Sequence, residues 1–218
     1  MPLFIINFKT YENGTGKKAL KLAKLIDKTA QIFSDTDIDV VVAVQPADIR
    51  LIASKVSIPV FAQHADPISF GAHTGGILLE SLQEAGARGV IINHSENKLS
   101  LKQVEKIIAR AKKLDFPVLV CAPDLKTGES IAKFKPDFIA IEPPELIGGK
   151  KSVSLMKPDL IKKSVKKLGN RLIVGAGISS FDDVKKTIQL GANGVLVSSA
   201  IVNSEKPQDV LKDLLTAF

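Results

Sequence analysis

Asn7, Lys9, His94 and Glu142 are residue types that together could move a proton. Asn7 and Lys9 close the first apolar run, where alternation directs both toward the same side, Asn93-His94-Ser95-Glu96 follows Gly89–Ile92, and Glu142 follows Phe138–Ile141. A carboxylate can take a proton from a carbon beside a carbonyl, an imidazole can pass protons between oxygens, and an ammonium and an amide can hold a developing oxyanion. Taken singly, each has a plainer reading: Asn7 as a turn residue, Lys9 as a solvated amine, His94 as a core or capping imidazole. Taken jointly, they supply a base, a shuttle, a cation and an amide, provided the fold brings three strand ends together.

Glu142 is followed at once by Pro143-Pro144-Glu145-Leu146-Ile147-Gly148-Gly149. The prolines fix φ and remove backbone donors, so strand pairing must stop there, and the glycines free the backbone to approach an anion. A stiff hinge, an apolar tip and a glycine exit describe a lid, and a base at the root of a lid suits chemistry that must exclude water. Two further segments suit anions. Gly175-Ala176-Gly177 follows one apolar run and Ser198-Ser199 follows another, so backbone N–H groups there could form a phosphate cradle.

The elements that must position these groups alternate along the whole chain. β-branched apolar runs fall at Leu3–Ile6, Val40–Val44, Pro59–Ala62, Gly89–Ile92, Pro117–Val120, Phe138–Ile141, Leu172–Val174 and Gly194–Val197. Segments with helical periodicity lie between them, at Lys17–Thr29, Ala47–Ala53, Ile77–Ala85, Leu99–Leu114, Lys126–Phe134, Asp159–Leu168, Phe181–Leu190 and Pro207–Leu215. Near-continuous apolar strands are those buried on both faces, which makes the class α/β with a parallel sheet. Eight units point to a closed (β/α)8 TIM barrel, and a chain of 218 residues predicts some shortened helices, since such barrels run from about 200 to over 400 residues. The first strand lacks a G-x-G-x-x-G turn, which argues against a dinucleotide fold. With no linker or compositional break, residues 1–218 read as one domain.

Composition narrows the classes. The net charge of +7 comes from lysines spread over helical faces, and with one Tyr and no Trp there is no stacking platform, so nucleic acid is not the expected partner. No apolar run reaches the roughly 18 to 20 residues that span a bilayer, and Met1-Pro2-Leu3-Phe4 lacks a basic lead. The expectation is a cytoplasmic protein without a membrane partner. The single cysteine, Cys121, excludes an intrachain disulfide and reads as a core thiol. His64 and His73 lack clustered acidic or cysteine partners, so no metal site is expected.

Asn7-Phe8-Lys9, Ala62-Gln63, Gly71-Ala72-His73-Thr74-Gly75, Asn93-His94-Ser95-Glu96, Glu142-Pro143-Pro144-Glu145-Leu146-Ile147-Gly148 and Gly175-Ala176-Gly177 resemble, in order and spacing, the triosephosphate isomerase family in its compact archaeal form. The resemblance implies interconversion of dihydroxyacetone phosphate and D-glyceraldehyde 3-phosphate, in glycolysis and gluconeogenesis, without cofactor or metal. It implies Glu142 as the base, neutral His94 as the electrophile and Lys9 as the cation that stabilises the oxyanion. These roles are the family's own, carried over residue by residue. It further implies that Asn7 orients the substrate, that Glu96 supports the site, and that Ile147, Gly148, Gly177, Ser198 and Ser199 hold the phosphate. A homodimer or homotetramer joined through residues 63–76 is implied as well. Other phosphate-binding barrels share the paired glycine and serine loops, and a noncatalytic phosphate binder is the alternative from another class; the presence of both His94 and Glu142 favours the enzyme.

Overall fold

The computed structural model describes residues 2–147, 149 and 152–218. Strands β1 (Leu3–Asn7), β2 (Asp39–Val44), β3 (Val60–Ala62), β4 (Gly89–Ile92), β5 (Val118–Ala122), β6 (Phe138–Ile141), β7 (Leu172–Val174) and β8 (Gly194–Val197) pair in sequence order, all parallel, and β8 returns to β1 to close the barrel. Each strand falls where β-branched residues cluster, as expected for segments buried on both faces.

The helices are α1 (Gly16–Ala30), α2 (Ile49–Ala53), α3 (Leu79–Glu84), α4 (Leu101–Lys113), α5 (Leu125–Ala132), α6 (Val153–Met156), α7 (Pro158–Leu168), α8 (Phe181–Gln189), α9 (Ser199–Val202) and α10 (Pro207–Leu215). The expected shortening is real, since α2 has five residues and α3 six. Part of the helix foreseen at Ala47–Ala53 is a 3-10 turn over Pro46–Asp48, where proline suits a tight first turn. Helix starts follow local chemistry. Ser100 and Gln103 form a reciprocal capping box that begins α4, Asp124 caps α5, and Ser180 with Asp183 does the same for α8.

Alternation along the strands sorts the core into two shells. Leu3, Ile5, Val41, Ala43, Phe61, Ile91, Leu119, Cys121, Ala140, Ile173 and Leu196 fill the barrel interior. Phe4, Ile6, Val42, Val90, Val120, Ile139 and Val195 face outward into the layer between strands and helices. This two-residue period decides which side chains reach the site, because the next inward position beyond each strand opens at the C-terminal mouth.

Candidate active site

One step past Ile5, Ala140, Ile173 and Leu196 in the interior shell stand Asn7, Glu142, Gly175 and Ser198. The side chains of Asn7, Glu142 and Ser198 line a cavity of about 200 Å³ at the mouth. Lys9, His94, Ile147, Gly177 and Ser199 line the same cavity, so the structure gathers residues from near both ends of the chain. Gly148 lies outside the described residues.

Lys9 arrives by a different route from the one its spacing suggests. Strand alternation was expected to carry it to the side of Asn7, but β1 ends at Asn7 and Lys9 adopts φ 49°, a left-handed conformation in which alternation no longer applies. The turn is fastened locally: the Lys9 N–H donates to Asn7 Oδ1 at 3.0 Å. Gln63, just beyond β3, donates from Nε2 to Asn7 Oδ1 and towards the backbone carbonyls of Lys9 and Ala43, at 3.2, 3.1 and 3.0 Å. Three acceptors around one nitrogen identify it as the amide end. The sequence reading placed Gln63 only in the family resemblance and at the start of the subunit-contact loop, and the signal for its role here was a polar residue directly after an apolar strand.

Glu96 organises two of its neighbours. Its Oε1 pairs with Lys9 Nζ at 2.6 Å, which fixes the ammonium at the rim. Its backbone N–H points at His94 Nδ1 from 3.3 Å. A backbone N–H can only donate, so Nδ1 accepts and the ring proton sits on Nε2. Glu96 Oε2 also approaches Nδ1, at 3.5 Å, but that distance is long for a hydrogen bond. His94 Nε2 then faces Glu142 Oε2 at 3.8 Å.

His94 owes its placement to Asn93, a residue the sequence reading left without a role. Asn93 takes φ 58°, and its side chain donates to the Cys121 carbonyl and accepts from the Leu99 N–H, each at 2.8 Å. Asn tolerates this left-handed turn better than most residues, and the turn is what swings the following imidazole over the cavity.

Glu142 is 6 % exposed, and its backbone N–H continues the ladder to the Ala122 carbonyl at 2.9 Å. Its Oε2 is buried without a hydrogen-bond partner. Buried carboxylate oxygens are normally satisfied, so an unpartnered one aimed at an imidazole is a mark of function. Glu142 also borders a second cavity of about 190 Å³ on its far side, where Cys121, Ser95 and Leu99 form the wall. Burial first, and the charge of Glu142 second, push the Cys121 thiol well above its usual range. It is a core thiol as expected, held as a neutral neighbour of the carboxylate.

The anion side of the cavity is built from two loops. Ala176 and Gly177 both turn left-handed, with φ 74° and 73°, and the Ala176 carbonyl accepts from the Val153 N–H of α6 at 3.2 Å. Ser198 donates from Oγ to the Asn7 carbonyl at 2.7 Å, tying the end of β8 to the end of β1. The lid begins as a 3-10 turn over Pro144–Leu146, with Ile147 on the cavity side. Glu145 in that turn is ion-paired with Lys157 beyond α6.

Such a mouth suits proton transfer on a small carbonyl compound carrying an anionic group, the work of a phosphate-binding barrel enzyme. The family model described as triosephosphate isomerase matches residues 2–216 of the chain. Relatives named triosephosphate isomerase include those of Methanothermus fervidus, 41 % identical over 99 % of this chain and 98 % of the relative, and Methanobacterium bryantii, 44 % identical over 99 % and 96 %. That of Saccharolobus solfataricus is 39 % identical over 99 % of the chain and 96 % of its own length. The chain belongs to the triosephosphate isomerase family.

Proposed function

We propose that this chain interconverts dihydroxyacetone phosphate and D-glyceraldehyde 3-phosphate through an enediolate, with Glu142 as the base. The observation that carries the assignment is the buried, unpartnered Glu142 Oε2 opposite His94 Nε2. Glu142 takes a proton from C1 of the ketose and returns it to C2, so the carboxylate is regenerated. His94 donates from Nε2 to the substrate carbonyl and moves the proton between the two oxygens. Lys9 stabilises the negative charge that grows there, and Asn7 orients the oxygen; fixed groups of this kind need no reorganisation as the charge develops.

Ile147 and Gly148 of the lid, Gly177, and the backbone of Ser198 and Ser199 hold the phosphate. Binding at this remote group supplies energy to close the lid, which keeps the enediolate from losing phosphate to water. Residues 1–218 act as one barrel domain, a reading supported by the seam at which β1 and β8 pair. The reaction needs no cofactor and no metal, and its setting is the cytoplasm. The working form is a homodimer or homotetramer joined through residues 63–76.

A coupled assay with glyceraldehyde 3-phosphate tests the chemistry. Glu142→Gln is expected to lower kcat by about 10³-fold, within the usual span for a general base, and Lys9→Ala to lower kcat while raising KM. Near-native turnover in Glu142→Gln would sink the assignment of the base.

A further inference from the structure

The carboxylate of Glu142 rests against a bare Cα. In the β6–β7 pair Ile141 stands opposite Val174, so one step further Glu142 meets Gly175, whose N–H donates to the Ile141 carbonyl at 3.2 Å. A methyl group on Gly175 would lie 2.5 Å from Glu142 Oε1, 2.7 Å from Cγ and 2.9 Å from Cδ. Its three nearest atoms thus all belong to one side chain. Gly175 is not among the residues with positive φ, whereas Gly177 is. Its φ is therefore no bar to alanine, and the conflict is with Glu142.

We propose that Gly175 is a positioning residue for the base: its missing side chain sets the wall against which the carboxylate stands opposite His94. This rests on the reading of Glu142 as the base. The space that would receive a displaced carboxylate is the cavity of about 190 Å³ on the Cys121 side. A side chain at position 175 drives the carboxylate towards that cavity and away from the reacting carbon. Gly177, the residue assigned to the phosphate, lies two positions further on with its own left-handed turn.

The test measures Gly175→Ala, Glu142→Ala and the double variant for kcat and KM with glyceraldehyde 3-phosphate, for inhibition by inorganic phosphate, and for urea unfolding. Gly175→Ala is expected to lose about 10²-fold in kcat, the scale of an ångström misplacement, with phosphate inhibition unchanged. It should lower the urea midpoint in the native background but not in Glu142→Ala, where the three atoms the methyl would strike are gone. Native-like kcat in Gly175→Ala beside an inactive Glu142→Ala overturns the proposal. So does a parallel loss of phosphate inhibition, which would make Gly175 a phosphate-loop residue. Equal destabilisation in both backgrounds overturns it even where Gly175→Ala folds too poorly to assay. An active Glu142→Ala would instead remove the base itself, a separate failure.

Discussion

Asn93 shows how much of the site depends on residues that never face the cavity. Asn93→Ala forfeits two hydrogen bonds and forces a side chain without local compensation into φ 58°. The expected cost is about 2 to 3 kcal/mol in urea unfolding, together with reduced kcat as His94 loses its orientation. Asn93→Gly keeps the turn but not the bonds and should fall between the two; equal stability of all three proteins would refute this account. Glu142 was legible in the sequence because it follows an apolar run directly, and His94 because an imidazole separated by one residue from another run is a chemical group at a strand end. Asn93 and Gln63 were not, because their partners come from other strands: the Cys121 carbonyl for one, the Ala43 carbonyl for the other. Lys9 was found for a partly wrong reason, since left-handed backbone and not alternation delivers it.

Among the elements, the ones easiest to foresee were those with a long amphipathic period or a strong cap, such as α4 with Ser100 and Gln103. Helix α6 was missed because four residues are too few to show a period, and its start depends on Ser152 accepting from the Leu155 N–H at 3.3 Å. That helix matters to the lid, because the chain beyond it carries Lys157, the partner of Glu145. The bond from Lys157, ahead of other causes, holds the Glu145 carboxyl below its ordinary value of 4.5. A depressed carboxylate favours the folded arrangement above the ordinary carboxylate range and loses that preference as pH falls through its lowered value. The tether is therefore present at neutral pH and released only in acid. Lys157→Ala should return the Glu145 titration towards 4.5 in a carbon-detected NMR experiment; an unmoved titration would mean that the pair does not persist in solution.

At the scale of the whole molecule, the barrel was legible because strands buried on both faces announce themselves as unbroken apolar runs, whereas the loop at residues 63–76 carries no such period. Its base is pinched where Asp66 and Ile77 exchange bonds, the Asp66 N–H to the Ile77 carbonyl at 2.8 Å and the Ile77 N–H to Asp66 Oδ2 at 2.7 Å. Its tip presents Phe70, which is 74 % exposed. An aromatic ring offered on a projecting, fastened loop suits burial against a second copy. If residues 63–76 form the proposed subunit contact, Phe70→Ser lowers the mass read by light scattering after size exclusion; an unchanged mass would count against that contact. The seam between β1 and β8 carries a consequence for how the protein is made. Leu3 to Ile6 pair with residues 194–197, so a nascent chain leaving the ribosome carries β1 with one hydrogen-bonding edge open until β8 has emerged. Open strand edges recruit other chains, and for this barrel the interval of greatest exposure to aggregation is translation itself.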